Sequence, residues 1–114
     1  MTNYKESRPW GTFENLVEEE YCKIKRIIVN PGESLSYQYH YKRSEVWTII
    51  KGKGVFTLDG KERYAAPGKV FVIPAKAKHR IKNTGEKELI FIEVQHGSYF
   101  GEDDIVRLED DYGR

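Results

Sequence analysis

Turn signals separated by short extended segments constrain the fold of this chain more than any other feature. Four such signals are Pro31-Gly32, Asp59-Gly60, Pro67-Gly68 and Asn83-Thr84-Gly85. Glycine, proline, asparagine and aspartate are the residues that turns favour, each for its own backbone or hydrogen-bonding reason. Turns that recur at roughly 8–12 residues are typical of sandwiches and barrels. We therefore expect an all-β domain.

The segments between the turns carry the β-branched and aromatic side chains that strands favour. The strongest such segments are residues 21–29, 46–50 and 89–94. Asp59-Gly60 separates residues 55–58 from residues 61–64, which predicts a tight two-residue hairpin. Helical spacing is nearly absent, with one turn near residues 102–106 as the exception. A closed barrel would also remove the exposed sheet edges.

Length and charge limit the classes of function. The 114 residues are enough for one domain, which we expect to span residues 1–114 with an N-terminal arm over residues 1–7. Nineteen Lys and Arg against 18 Asp and Glu give a net charge of +1, which argues against a nucleic-acid partner. The single Cys22 excludes an internal disulfide and a cysteine-rich metal site. No apolar segment reaches the ~20 residues of a membrane helix, so we expect a cytoplasmic protein with no membrane partner.

Three polar side chains fall close together in one extended region. Gln38 and His40 lie two residues apart, so in a strand their side chains project from the same face. Glu45 could return to that face after a bend at residues 41–44. A buried carboxylate just before the apolar residues 46–50 needs a partner, and we favour a metal ion as that partner.

A second extended segment, residues 68–74, leads to His79 and Asn83. His40 alone would be interpreted as a hydrogen-bonded strand residue, but two imidazoles with a carboxylate and an amide oxygen favour a divalent cation. Asn83 is interpreted as a turn residue. Nitrogen and oxygen ligands without a thiolate suit zinc, iron, manganese or nickel. The predicted metal ligands are Gln38, His40, Glu45 and His79.

These ligands stand at fixed distances from glycines and a proline. The positions concerned are Gly32, Gln38, His40, Glu45, Gly52, Gly68, Pro74, His79 and Asn83. Their spacing resembles the two sequence motifs of the cupin superfamily, in which Gln38 stands where the first motif usually has a histidine. The resemblance implies a single-domain jelly-roll β-barrel, and cupins commonly pair through their strands, which implies a homodimer.

Further segments narrow the resemblance. They include Arg8-Pro9-Trp10-Gly11, Glu93-Val94-Gln95, the run from Gly101 to Arg107, and Tyr112-Gly113-Arg114. They resemble the C-terminal mannose-6-phosphate isomerase domain of the bifunctional mannose-1-phosphate guanylyltransferase/mannose-6-phosphate isomerases. The resemblance implies conversion of mannose 6-phosphate to fructose 6-phosphate and favours zinc. No glycine-rich nucleotide loop precedes Arg8, so we expect this chain not to make GDP-mannose.

Aldose–ketose isomerisation needs a base, a cation that stabilises the enediolate, and positive groups that hold the phosphate. Arg43 matches the arginine of the family's Gln-x-His-x-x-Arg string and is the first choice for the phosphate; Arg107 matches the family's terminal arginine. Lys42 could act as the base only if a nearby cation lowered its pKa. The predicted substrate-binding residues are Arg80, Tyr39 and Trp47.

The chain departs from the family at several positions. Related domains usually have histidines where this chain has Tyr41, Lys42 and Val46, and a glycine where it has Lys76. These departures leave the predicted metal ligands unchanged but leave the base open. Two alternatives to an isomerase therefore stand: a non-catalytic sugar-binding or regulatory cupin, and a metal cupin dioxygenase that uses the same ligands.

Overall fold

The computed structural model describes residues 4–110, which form eleven strands and no helix. The strands are β1 Lys5–Arg8, β2 Gly11–Glu18, β3 Cys22–Val29, β4 Tyr37–Tyr39, β5 Arg43–Lys51, β6 Gly54–Leu58, β7 Lys61–Ala65, β8 Val70–Ile73, β9 His79–Asn83, β10 Leu89–Gly97 and β11 Val106–Glu109. The prediction of an all-β chain is confirmed. Within this described part, no helix is available to span a membrane.

Two antiparallel sheets face each other. One sheet has six strands in the order β1-β2-β3-β10-β5-β8, and the other has five in the order β11-β4-β9-β6-β7. Side chains alternate between the two faces of each strand, so every second residue of β5 and β10 points into the space between the sheets. The result is the jelly-roll arrangement, with one core between two sheets.

Aromatic rings fill most of this core. The Phe56 ring stacks on the Phe71 ring across the two sheets, with 4.1 Å between ring centroids. The Trp47 ring stacks on the Phe91 ring of the neighbouring strand at 4.4 Å. Trp47, Phe56 and Phe91 are fully buried.

The predicted hairpin is confirmed. Asp59 and Gly60 connect β6 to β7, and Leu58 pairs with Lys61 across the turn. Both turn residues have positive φ, 47° for Asp59 and 81° for Gly60. This is the conformation that a two-residue hairpin prefers, because its twist matches the twist of the strands, and Asp-Gly tolerates it well.

Three local features differ from the sequence-based expectations or extend beyond the described residues. β5 begins at Arg43, so the bend after β4 is shorter than residues 41–44. Residues 102–104 form a non-helical turn, and Val106 already belongs to β11. Of the expected arm over residues 1–7, residues 5–7 belong to β1, which pairs with β2, while residues 1–3 lie outside the described part. The family-like Tyr112-Gly113-Arg114 also lies outside it.

Candidate metal centre

The two sheets bring three predicted ligands together. His40 follows β4, Glu45 lies in β5, and His79 begins β9. One ligand atom from each residue can be chosen so that all three lie within 4.8 Å of one another, and all three residues are buried. Nε2 of His40 lies 3.4 Å from Oε2 of Glu45, and Nε2 of His79 lies 3.8 Å from Oε1. The group could hold a metal ion.

Hydrogen bonds to backbone carbonyls fix the tautomers of both histidines. Nδ1 of His40 lies 2.7 Å from the Asp104 carbonyl oxygen, and Nδ1 of His79 lies 2.9 Å from the Ala77 carbonyl oxygen. A carbonyl oxygen only accepts, so each Nδ1 must carry the hydrogen. The lone pairs of both Nε2 atoms therefore face Glu45. Metal-bound histidines are commonly oriented by this kind of hydrogen bond.

Glu45 is ionised at the centre of the group. Burial raises its pKa, but His79, Arg43 and His40 outweigh that effect and bring the pKa to about 2. Nε of Arg43 donates to Oε2 at 2.8 Å, and Nε1 of Trp47 donates to Oε1 at 2.8 Å. Glu93 also hydrogen-bonds to this carboxylate. Because a carboxylate offers about four lone-pair positions, at least one remains for a further partner.

The donor atoms of this group suit a divalent cation. Nε2 of His79 is buried and has no hydrogen-bond partner among the residues the structure describes. Burial lowers the pKa of His40, with only partial opposition from Glu45, so this imidazole is neutral near pH 7. A divalent cation between Nε2 of His79 and the Glu45 carboxylate would give this nitrogen the partner that it lacks.

Gln38 extends this group on the cavity side. It pairs in register with His79 across β4 and β9, and its half-buried side chain lines the adjoining cavity. Its Oε1 accepts a hydrogen bond from Oγ of Ser36 at 3.0 Å. Metal binding by Gln38, His40, Glu45 and His79 together remains a prediction. Asn83, by contrast, holds the turn after β9, where its Oδ1 accepts from the backbone N–H of Gly85 at 2.8 Å.

A cavity of about 90 Å³ adjoins the candidate metal centre. It lies between the sheets, and residues of the segment that leads into β11 form part of its wall. Its lining combines cations, carboxylates and an aromatic wall. The residues most relevant to chemistry are Arg8, Trp10, Lys25, Gln38, His40, Arg43, Glu93, Glu102 and Arg107.

Arg43 joins the cavity to the metal centre. Its Nη2 lies 3.3 Å from Nε2 of His40, its Nε donates to Glu45, and its buried Nη1 has no partner among the described residues. Burial alone would lower the pKa of Arg43, but Glu45 and Glu93 raise it, so the guanidinium stays charged. An unpaired N–H of a buried guanidinium is suited to bind an anionic oxygen of a ligand.

The other two side chains predicted to be catalytic, those of Arg107 and Lys42, are exposed, unlike that of Arg43. Arg107 lines the rim of the cavity and is exposed. Lys42 is exposed and lies outside the cavity, with its Nζ 5.3 Å from the centre of the Tyr99 ring. Its position follows from strand alternation, because Arg43 points inward at the start of β5 and its neighbour therefore points away. This placement corrects the prediction that Lys42 supplies the base.

The predicted substrate-binding residues are not brought to the cavity. Arg80 donates to Oγ of Ser34 at 2.9 Å, and the Tyr39 hydroxyl lies 3.2 Å from the Tyr41 hydroxyl; neither residue lines the cavity. Trp47 is 0% exposed and packs against Phe91, so no sugar can stack on it. These placements exclude contact of the three side chains with a sugar group held inside the cavity. Trp47 instead holds Glu45 in place.

The sequence analysis missed a buried carboxylate and a buried amine on the cavity wall. Glu93 and Lys25 are 5% and 4% exposed and face each other across β10 and β3. Nε2 of Gln95 donates to Oε2 of Glu93 at 2.6 Å, while Nζ of Lys25 binds Glu102 and lies 4.2 Å from the Phe13 ring centre. Strand alternation was the available signal, because Glu93 shares the inward phase of Leu89 and Phe91.

We predict that Glu93 makes the metal-stripped protein less stable as the pH rises. Burial, and then the nearby Glu45 carboxylate, raise the pKa of Glu93 to about 8. A raised pKa means that the folded state binds more protons than the unfolded state between about pH 4.5 and 8, so stability falls across this window. Glu93→Gln removes that loss, so its melting temperature should exceed that of the wild type by about 5 °C or more at pH 8.5.

Calorimetric or circular-dichroism melts of both proteins at pH 5 and pH 8.5 measure this effect. The two proteins should melt at similar temperatures at pH 5. Parallel pH profiles for the wild type and Glu93→Gln would show that Glu93 does not titrate in this range.

Comparison with known proteins agrees with this geometry. The family model described as "Mannose-6-phosphate isomerase C-terminal" matches residues 1–110. The chain is 41% identical over 114 residues to a mannose-1-phosphate guanylyltransferase of Salmonella montevideo; the match covers 100% of this chain and 24% of that protein. The chain thus spans about a quarter of the length of this relative.

Solved structures support the fold. The cupin domain of Cnp3 from Schizosaccharomyces pombe superposes with a TM-score of 0.73 at 18% identity, over 75% of this chain and 64% of that chain. A structure described as a putative sugar phosphate isomerase from Acidithiobacillus ferrooxidans superposes with a TM-score of 0.69 at 24% identity, over 84% and 68%. The fold is therefore that of a cupin, and the chain belongs to the family of mannose-6-phosphate isomerase C-terminal domains.

Proposed function

We propose that this chain is a metal-dependent sugar-phosphate isomerase that converts mannose 6-phosphate to fructose 6-phosphate, with zinc as the favoured metal. The observation that carries the proposal is the convergence of His40, Glu45 and His79 beside a cavity that also contains Arg43 and Glu93. Membership of the isomerase-domain family supports the choice of substrate.

Gln38, His40, Glu45 and His79 would hold the metal. A divalent cation bound there would polarise the sugar carbonyl, stabilise the enediolate oxygens and lower the pKa of Glu93 by its charge. The nitrogen and oxygen donors suit zinc as well as iron, manganese and nickel, and the family favours zinc among them.

Glu93 is the base that we propose in place of Lys42. Isomerisation removes the proton from C2 of the aldose and delivers a proton to C1, so one carboxylate beside both carbons can do both. The Glu93 side chain lines the cavity, and the hydrogen bond from Gln95 fixes its orientation. With Glu93 as the base, the reaction does not need the histidines that related domains have at the positions of Tyr41, Lys42 and Val46.

The size and charge of the cavity suggest how the substrate enters. Ligand pockets usually measure ~300–1,000 Å³, whereas this cavity measures about 90 Å³, so we infer that only the reacting end of the sugar is enclosed. The unpaired Nη1 of Arg43 would bind an anionic substrate oxygen inside the cavity. Arg8 and Arg107 lie on the cavity wall and rim, where they would attract the phosphate.

A coupled assay of fructose 6-phosphate formation tests the proposal. Protein stripped with a chelator should be inactive, and zinc, manganese or iron should each be tested for recovery, with zinc expected to restore turnover by at least about 100-fold. A protein that binds mannose 6-phosphate but shows no turnover with any divalent metal would instead be a sugar-binding cupin. Oxygen consumption by the iron-loaded protein would favour a dioxygenase.

A further inference from the structure

The connection between β10 and β11 passes beside the candidate metal centre. It comprises residues 98–105 and leads from the six-stranded sheet to the five-stranded sheet. We refer to these residues as the strap. Glu102 and Ile105 of the strap line the cavity, and the Glu102 carboxylate binds Nζ of Lys25 in β3. The strap therefore forms part of the cavity wall and is tied to the six-stranded sheet.

Asp104 of the strap makes two kinds of contact with the short connection between β4 and β5. Its Oδ1 accepts a hydrogen bond from the backbone N–H of Tyr41 at 3.0 Å, and its Oδ2 accepts one from the backbone N–H of Lys42 at 2.9 Å. Its backbone carbonyl accepts from Nδ1 of His40 at 2.7 Å. One residue thus holds both the imidazole of His40 and the two residues that follow it.

Backbone hydrogen bonds hold the same connection from other directions. The N–H of Ser98 donates to the Lys42 carbonyl at 3.1 Å, and the N–H of Lys76 donates to the His40 carbonyl at 2.7 Å. These bonds join neutral groups, whereas the two bonds to the Asp104 side chain involve a carboxylate. Hydrogen bonds to an ionised acceptor are roughly twice as strong as neutral ones. We therefore expect the Asp104 carboxylate to be the strongest link between the strap and this connection.

The two histidines of the candidate metal centre differ in how they are held. Nδ1 of His79 binds the carbonyl of Ala77, which is only two residues away in the chain. Nδ1 of His40 binds a carbonyl that is 64 residues away, on the strap. The orientation of the His40 ring therefore depends on where the strap lies, and that of the His79 ring does not.

We propose that Asp104 is a positioning residue for the metal. Its carboxylate holds the strap in place, so that its carbonyl meets Nδ1 of His40 and the Nε2 lone pair of His40 faces Glu45. Groups that orient a metal-bound histidine typically contribute 10–100-fold to metal affinity. The proposal rests on the metal binding of the proposed function but not on the reaction, because it concerns only how a ligand is held.

Hydrogen exchange of the two imidazole N–H groups, followed by nuclear magnetic resonance of the metal-free full chain, tests the positioning itself. In Asp104→Ala the Nδ1–H of His40 should exchange with water at least about tenfold faster than in the wild type, because the strap opens more often. The Nδ1–H of His79 is an internal reference and should exchange at the wild-type rate. His40→Ala and His79→Ala assign the two signals.

Calorimetric titration with zinc measures the consequence for the metal. Asp104→Ala should lower zinc affinity by about 10–100-fold. Asp104→Asn retains one oxygen for one of the two N–H groups and should lose less. Asp103→Asn is the matched control, because the Asp103 side chain lies in the same turn and binds only the exposed Tyr99 hydroxyl among the described hydrogen bonds; it should bind zinc like the wild type.

Circular dichroism establishes which variants are folded, and Asp104→Asn serves if Asp104→Ala is not. Equal acceleration of exchange at His40 and His79 would show a general loss of stability and would overturn the proposal. Wild-type zinc affinity in a folded Asp104 variant would overturn it as well. A wild type that binds no zinc, manganese or iron would refute the metal centre and this proposal together. Zinc binding that depends on Asp104, without turnover, would refute the isomerase alone.

Discussion

Replacing His79 with alanine is expected to abolish metal binding and, with it, isomerase turnover. Nε2 of His79 is buried, carries a lone pair and has no hydrogen-bond partner among the described residues. Loss of a group that only orients a metal ligand commonly costs 10–100-fold in metal affinity, so loss of the ligand itself should cost more than about 100-fold. Elemental analysis after dialysis and calorimetric titration with zinc measure this directly.

The chain supplies its own control for this experiment. It has three histidines, and His96 lies on the exposed face of β10, away from the metal centre. His96→Ala should keep the metal content of the wild type, whereas His40→Ala should behave like His79→Ala. Equal metal content in all three variants would show that the metal, if any, is bound elsewhere.

Arg43→Lys is expected to lower turnover by about tenfold or more without lowering the metal content. A lysine keeps the positive charge beside Glu45 but lacks the planar fork that lets Arg43 reach Glu45, His40 and the cavity together. A reduced kcat at unchanged metal occupancy would show that the substitution slows the reaction rather than weakening metal binding. Arg80→Lys is the matched control, since Arg80 does not line the cavity and should tolerate the change.

Arg43→Ala separates the structural part of this effect from the chemical part. It removes the charge that pairs with Glu45, which is 1% exposed, and breaking a buried ion pair costs about 3–5 kcal/mol. The metal-stripped variant should therefore melt well below the wild type, and added zinc should recover part of the loss by binding the native state alone.

Full activity in the Arg43→Lys variant would show that Arg43 takes no part in the proposed reaction.

The sequence predicted the fold well because the determining signals are local. Asp59-Gly60 requires positive φ at both residues, and residues 89–94 carry enough β-branched and aromatic side chains to be read as a strand without knowledge of their neighbours. The start of β5 was harder to predict, because the bend before it depends on a distant residue. Asp104 accepts hydrogen bonds from the backbone N–H groups of Tyr41 and Lys42.

The candidate site was only partly predictable for the same reason. The spacing of His40, Glu45 and His79 is a sequence pattern, and the structure brings these residues together. The inward phase at the start of β5 depends on the register between β5 and β10, and that register places Arg43 in the cavity and Lys42 outside it. Strand alternation already indicates that Glu93 points inward with Leu89 and Phe91, but only the strand register shows that it faces Lys25 on the cavity wall.

Conversion of mannose 6-phosphate in deuterium oxide, followed by nuclear magnetic resonance, tests the central claim most directly. When a side-chain base carries the proton from C2 to C1, that proton exchanges with solvent in a fraction of the turnovers. Zinc-restored wild type should produce fructose 6-phosphate that carries deuterium at C1, while metal-stripped wild type and His79→Ala should produce none. Substrate that stays unconverted and undeuterated with every divalent metal, in protein shown to contain that metal, would contradict the account.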